Sequence, residues 1–167
     1  MQIAPKTQEE FVERINASLE FASGPKQEGT INAGLGMELV DCDLSALSLT
    51  IAMAIKPWMY NPAATTIHGG VSAALADHAM GTLIYCVNDC EFTPTVNLSL
   101  TYLQPVRLDR RLLIRCTLRA DGGRLATATG VAWSEGFEED PCFVTTATYY
   151  LIRKKTERKA QSSLLHS

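Results

Sequence analysis

The chain has no excess of basic residues and no obvious membrane or export segment. Its 167 residues hold 15 lysines and arginines against 18 aspartates and glutamates, a formal net charge of -3. That balance gives no positive field to attract nucleic acid or an anionic membrane. The N-terminal sequence MQIAPKTQEEFVERI has no basic stretch followed by an apolar one, and no apolar run approaches the roughly eighteen residues of a membrane span. We therefore expect neither nucleic acid nor a membrane as a partner.

The cysteines are too few and too irregularly spaced for a disulfide framework or a metal site. Their number is odd, no pair has the Cys-x-x-Cys spacing, and most lie in apolar or alternating segments: Cys42, Cys86, Cys90, Cys116 and Cys142. Cys86 and Cys90 share one helix face at i and i+4, but no further ligands have matching spacing, so we predict no metal. A reducing, cytoplasmic compartment fits this pattern best.

The composition indicates one domain, over residues 1–152, followed by a charged tail over residues 153–167. With 46% hydrophobic residues the chain can bury a substantial single core. Near the N-terminus, Thr7 and Glu10 have the spacing of a capping box, and Phe11 and later apolar residues recur once per helical turn. An amphipathic helix is therefore predicted over about residues 8–21.

The remaining pattern predicts an α+β fold. Alternating apolar and polar residues around an Asp-x-Asp turn indicate a hairpin within residues 35–55, and period-two segments from residue 95 onward indicate three or four more antiparallel strands. Between them, the run VSAALADHAMGTLIYCVND is apolar or small on nearly every face and predicts a long buried helix. A curved antiparallel sheet wrapped around that helix is the economical packing.

Asp77 interrupts the apolar helix about two turns from its start. An unpaired carboxylate there would cost several kcal/mol, so it must be compensated or must serve a function. The alternatives are an exposed helix stripe, or a structural role in which a hydroxyl or backbone N–H satisfies the carboxylate.

The helix is preceded by His68-Gly69-Gly70, whose backbone N–H groups lie at the positive end of the helix dipole without Cβ obstruction. Such donors can hold a developing oxyanion. The alternative is that the two glycines only permit a tight turn into the helix.

Together these features form the sequence NPAATTIHGGVSAALAD, which resembles the HGG-containing, PaaI-like thioesterases of the hot-dog superfamily. The later segments TVNLSLTYLQPV and ADGGRLATATGVAW are similar to that family's strand after the long helix and its next hairpin, so the resemblance covers roughly residues 30–152. It implies a hot-dog fold and an enzyme that hydrolyses an aryl-acyl or short- to medium-chain acyl-CoA thioester. Coenzyme A would be part of the substrate, and no separate cofactor is expected.

The resemblance also implies roles for individual residues. Asp77 would be the general base or the nucleophile, and the Gly69 N–H would polarise the thioester carbonyl. Asn61 would orient substrate or water, although its loop is one residue longer than usual and Asn61 could instead cap a turn. The histidine of the motif, His68, would order the turn or the substrate loop. Substrate-binding positions would be Gly70, Thr95 and Arg124, the last either approaching the phosphates of coenzyme A or serving as an ordinary solvated turn residue.

A length argument adds a partner. Gly69 and Asp77 are eight residues apart and so about 12 Å apart along one helix, too far for one carbonyl to touch both. A site that uses both must draw them from two antiparallel helices, so we predict a two-fold dimer, alone or paired into a tetramer, with sites at the subunit interface. Two other functions stay open: a hydratase or dehydratase of the same fold, and a module that binds acyl-CoA without turnover.

Overall fold

Six antiparallel strands curve around one long helix in the computed structural model, which describes residues 4–88 and 90–153. The helices are α1 (Gln8–Ser23), α2 (Ile31–Leu35) and α3 (Gly69–Val87). The strands are β1 (Met37–Asp43), β2 (Ser48–Met53), β3 (Thr95–Tyr102), β4 (Leu112–Asp121), β5 (Leu125–Ser134) and β6 (Pro141–Tyr150). The element order agrees with the predicted α+β hot-dog architecture. Most of the predicted C-terminal tail, residues 154–167, lies outside the described residues.

The strands follow the order β1-β2-β4-β5-β6-β3 across one sheet, and every neighbouring pair is antiparallel. Both predicted hairpins, β1–β2 and β4–β5, are present. Strand β3 follows α3 in the chain but joins the far edge of the sheet, where it pairs only with β6 among the described strands. Its other edge is open to pairing.

The N-terminal helix α1 covers one side of α3. Its apolar stripe is buried at the predicted positions Phe11, Ile15 and Leu19, and the hydroxyl of Thr7 accepts the Glu10 N–H at 3.2 Å. The predicted capping box is only half formed, because the Glu10 carboxylate accepts the N–H of Lys6 instead. The helix also runs two residues beyond its predicted end, to Ser23.

Helix α3 is the centre of the core. Its sheet-facing residues are fully buried: Leu75, Ala76, Ala79, Met80, Leu83 and Ile84. By length and mean hydropathy, 1.2 over its most apolar window, α3 would also qualify as a membrane span, so the expectation that no segment reaches that length was wrong. Half of that window is buried inside the protein, as befits the core helix of a globular domain.

Candidate active site

Asp77 projects from α3 into contact with two strands. The hydroxyl of Thr95, the first residue of β3, donates a hydrogen bond to Asp77 Oδ1 at 2.7 Å. The hydroxyl of Tyr149 on β6 lies 3.1 Å from the same Oδ1 and 2.7 Å from the backbone carbonyl oxygen of Asp77. No described residue hydrogen-bonds Oδ2. The carboxylate is thus held through one oxygen, and the other is available to a water molecule or a substrate.

Tyr149 is a site residue that the sequence interpretation missed. It is buried. Burial is the main cause that raises the pKa of Tyr149 well above its usual value, and the nearby Asp77 carboxylate raises the pKa further, so the hydroxyl stays an O–H donor. Gly81 makes room for it, since a Cβ there would lie 3.3 Å from a Tyr149 ring carbon. The strand alternation of CFVTTATYYLI places Tyr149 on the inward face together with Phe143 and Ala147. A tyrosine hydroxyl on the inward face of a strand needs a hydrogen-bond partner, and this was the signal in the sequence that could have identified Tyr149.

Asp77 opens into a cavity of about 910 Å³ between α3 and α1. From α3 the cavity is lined by Asp77, His78 and Thr82, and from α1 it is lined by residues that include Ala17 and Phe21. This volume is within the range of pockets that enclose small organic ligands. The wall is mixed in polarity, since it includes the Asp77 carboxylate and the charged side chains of Glu13 and Arg14 beside small and aromatic ones.

The motif before α3 lies in a different place, around a second cavity of about 380 Å³ lined by Asn61, His68, Gly69 and Tyr102. His68 is the N-cap of α3, and its Nδ1 accepts the N–H of Gly70 at 3.0 Å. The Tyr102 hydroxyl donates to the Gly69 carbonyl oxygen at 2.7 Å. Among the described residues nothing accepts the Gly69 N–H. Of the two glycine amides, only that of Gly69 is therefore available to an oxyanion.

Asn61 is engaged in its own turn. Its Oδ1 accepts the N–H of Thr65 at 3.1 Å, and its Nδ2 lies 3.4 Å from the Thr65 hydroxyl oxygen. The turn between them contains Ala64, whose φ of 52° is in the left-handed region. Asn61 therefore caps a turn, although its side chain also borders the cavity of His68 and Gly69.

Arg124 lies at the same end of the sheet as Asp77. In the β5–β6 register, Ala126 pairs with Tyr149 and Leu125 with Tyr150, so Arg124 stands two residues beyond the tyrosine that contacts Asp77. Its carbonyl oxygen accepts the N–H of Leu151 at 2.8 Å, and its side chain is exposed. It does not line the large cavity.

One chain therefore holds two separate halves of the predicted site. Asp77 and Thr95 line the larger cavity, whereas His68, Gly69 and Asn61 line the smaller one. Within a single chain, Gly69 and Asp77 lie at different cavities. This separation agrees with the helix-length argument, which requires that the two groups of one site come from two chains.

Residues 64–139, which include both Gly69 and Asp77, match the family model described as the thioesterase superfamily. This segment, which is less than half of the chain, is similar to the thioesterase superfamily. The predicted resemblance to thioesterases is confirmed over this segment, and thioester hydrolase is the class of the matched family. Asn61 and Tyr149 lie outside the matched segment. No curated protein sequence matches the chain significantly.

Solved structures confirm the hot-dog fold of the chain. A phenylacetic acid degradation-related protein from Ralstonia eutropha is 23% identical, covers 80% of this chain and 98% of its own, and superposes with a TM-score of 0.67. The E. coli PaaI protein of the phenylacetic acid degradation operon is 13% identical, with coverages of 85% and 96% and a TM-score of 0.68. Zebrafish thioesterase superfamily member 2 is 16% identical, with coverages of 84% and 97% and a TM-score of 0.72.

Proposed function

We propose that the protein is an acyl-CoA thioesterase that hydrolyses an aryl-acyl or short- to medium-chain acyl-CoA to the free acid and coenzyme A. The observation that carries this proposal is the arrangement of Asp77. Its Oδ1 accepts hydrogen bonds from Thr95 and Tyr149, while its Oδ2 is left without a described partner beside a cavity of about 910 Å³. A carboxylate oriented in this way is suited to act as a base or nucleophile.

In the reaction, the acyl group occupies the cavity with its thioester carbonyl beside Asp77. In the base route, Asp77 Oδ2 takes a proton from water as the water oxygen attacks the carbonyl carbon. The resulting oxyanion is held by the N–H of a Gly69 at the start of a helix. Collapse of the tetrahedral intermediate breaks the C–S bond, and the proton on Asp77 passes to the departing sulfur.

The Gly69 in that step comes from a second copy of the chain. Thr95, at the start of β3, contacts Asp77, whereas Tyr102, at the end of β3, contacts Gly69. Antiparallel pairing of two β3 edges about a two-fold axis places the Thr95 end of each strand beside the Tyr102 end of the other. The Asp77 half-site of one copy then meets the Gly69 half-site of its partner. The open edge of β3 and its exposed Val96 and Tyr102 support this dimer.

A shared site can be tested by complementation between two inactive variants. Asp77→Asn removes the carboxylate, and Gly69→Pro removes the amide N–H. Gly69 is the first residue of α3, where proline is favoured, and His68 already has the extended conformation that precedes proline, with φ -64° and ψ 136°. Gly69→Ala is the matched control, because it introduces the same Cβ, 3.2 Å from the Tyr102 hydroxyl oxygen, but keeps the N–H.

Each inactive variant should have little turnover alone. After unfolding and refolding in an equal mixture, half of the dimers are mixed and each of these has one intact site, so about a quarter of the wild-type rate should return. No recovery from a mixture that does form mixed dimers would refute the shared site. Full activity in Gly69→Pro would refute the oxyanion role of Gly69.

The first measurement is release of free coenzyme A thiol from a panel of aryl and aliphatic acyl-CoA thioesters, with wild type beside Asp77→Asn. Asparagine keeps the shape of aspartate, so the variant should fold normally and lose most of its turnover. If wild type binds acyl-CoA saturably but turns over no member of the panel, the protein is a non-catalytic acyl-CoA module. An active Asp77→Asn enzyme would remove Asp77 from the mechanism.

The base and nucleophile routes differ in where the oxygen of water goes. In a single turnover in water labelled with a heavy oxygen isotope, a nucleophilic Asp77 forms an anhydride with the acyl group, and hydrolysis then leaves label in either the product acid or the Asp77 carboxylate. A general base leaves all label in the product acid. Label found by mass spectrometry in the peptide that contains Asp77 would therefore establish the nucleophile route, because the base route puts none there.

We further propose a cytoplasmic location. The five cysteines, which lie among the described residues, form no disulfide with one another, and four of them are buried. This state fits a reducing compartment. Fractionation of cells that express the chain, with the activity assayed in each fraction, tests the location.

A further inference from the structure

His78 carries a polar ring that the proposed reaction does not use. It follows Asp77 on α3 and lines the same cavity. Its Nδ1 is buried, and neither Nδ1 nor Nε2 forms a hydrogen bond to any residue that the structure describes. A buried polar atom without a partner is uncommon in folded proteins, since its desolvation is not compensated.

The charged groups around the cavity do not supply that partner. Arg14 of α1 directs its guanidinium to the carbonyl oxygens of Tyr85 and Asn88 at the end of α3. Glu13 and Glu91 also line the cavity, and neither forms a hydrogen bond to His78. Asp77 is held by Thr95 and Tyr149 on a different side of the helix. The imidazole therefore lines the cavity without a hydrogen bond to any described residue.

We infer that His78 is a specificity-determining residue whose ring hydrogen-bonds a hydroxyl or oxo oxygen on the acyl group, close to its thioester end. This inference rests on the proposed function, because it takes the cavity as the acyl site. The consequence is a substrate class, oxygen-substituted acyl thioesters, rather than plain alkyl ones.

The position of the substituent follows from the helix. Residues 77 and 78 are neighbours, with Cα atoms about 3.8 Å apart and side chains about 100° apart around the axis. If the reacting carbonyl lies at Asp77 Oδ2, then His78 reaches the carbons next to that carbonyl and not the end of a long chain. Thr82, one turn further along the same face, lies where the remainder of the acyl group continues.

The protonation state of the ring suits this role. Burial lowers the pKa of His78 below its ordinary value, and the neighbouring Asp77 only partly opposes that shift. A neutral imidazole has one N–H donor and one acceptor nitrogen, and rotation of the ring exchanges the edge that faces the cavity. It can thus donate to an oxo group, or donate to or accept from a hydroxyl.

The test compares β-hydroxybutyryl-CoA with butyryl-CoA, which differ only by the hydroxyl. Wild type should prefer the hydroxylated substrate by about tenfold to a hundredfold in kcat/KM, because the plain substrate leaves the ring unpaired in a dry site. His78→Leu keeps the bulk without polar atoms and should abolish the preference, so that the two thioesters have similar kcat/KM values. His78→Gln, which restores a polar group at similar reach, should recover part of the preference.

Two outcomes would overturn the inference. One is a wild-type enzyme that treats the two thioesters alike. The other is a His78→Leu enzyme that keeps the preference but dissociates more readily, since the partner subunit and not the substrate would then satisfy the ring. If no thioester is hydrolysed, the proposed function fails separately. Calorimetry then measures the binding affinities of the two thioesters for wild type and for His78→Leu. Wild type should bind the hydroxylated thioester more tightly and His78→Leu should not, and equal affinities in wild type would reject the inference.

Discussion

The hydrogen bond between Tyr149 and the Asp77 carboxylate should be measurable as a coupling free energy. Tyr149→Phe removes only the hydroxyl, which lies 3.1 Å from Asp77 Oδ1 and 2.7 Å from the Asp77 carbonyl oxygen. The carbonyl contact is the same whether residue 77 is aspartate or asparagine. A double-mutant cycle of Tyr149→Phe with Asp77→Asn therefore cancels it and isolates the contact to the side chain.

The magnitude follows from the charge. A hydrogen bond to an ionised group contributes about 1.5–3 kcal/mol and one to a neutral group about 1 kcal/mol, so the coupling should be about 0.5–2 kcal/mol. Tyr149 is buried, which shields the interaction from water. Thr95 is exposed, so the parallel cycle with Thr95→Val should give less than about 1 kcal/mol despite its shorter 2.7 Å bond.

The assay is urea unfolding of the four proteins of each cycle at pH near 7, with protein concentration fixed because the stability of the proposed dimer would depend on it. A Tyr149 coupling indistinguishable from zero would refute the view that this hydroxyl holds the carboxylate. A Thr95 coupling larger than that of Tyr149 would refute the argument that burial, and not distance, decides their relative strength.

Three further predictions concern the surroundings of the carboxylate. Gly81→Ala places a Cβ 3.3 Å from the Tyr149 ring, so the ring should shift and kcat should fall about tenfold. Alanine also stabilises the helix by about 1 kcal/mol relative to glycine, which should leave thermal stability nearly unchanged. Steady-state kinetics and calorimetry measure the two effects. Arg124→Ala should raise KM about three- to tenfold for a coenzyme A thioester but not for the matching pantetheine thioester, which lacks the nucleotide phosphates; an equal change in both would contradict phosphate contact. Because burial lowers the pKa of His78, the unfolded chain binds a proton more readily just below pH 6.5, so acidification from about pH 7 to pH 5 should reduce the free energy of unfolding. His78→Leu should flatten that part of the wild-type pH profile, and an unchanged slope would count against the buried neutral ring.

The fold was accessible from the sequence because its signals are local. The capping residue Thr7, the period of two in β3, and the apolar circumference of α3 each identify an element without reference to any other. Boundaries were less secure where tertiary contacts decide them. Glu10, for example, completes no capping box, because its carboxylate accepts the N–H of Lys6 instead.

The site was accessible only in part, because its groups come from distant segments. The motif around His68 and Gly69 could be read along one helix, and so could the unusual position of Asp77. Tyr149 contacts Asp77 across 72 positions of sequence, through the pairing of β6 with its neighbours. No local pattern reports such a contact. The turn that holds Asn61 depends equally on a backbone conformation that the letters of the loop do not specify.

Helix α3 links these observations to the proposed mechanism. It is a rigid element with a carboxylate at Asp77 and, two turns earlier at its first residue, Gly69, an N–H that no described residue accepts. The edge strand β3 repeats that spacing, because its two ends contact the same two points of α3 through Thr95 and Tyr102. An antiparallel partner reverses both elements together. The half-sites of two chains can therefore be matched without any bend or loop movement, and catalysis would depend on association of the chains as much as on any one side chain.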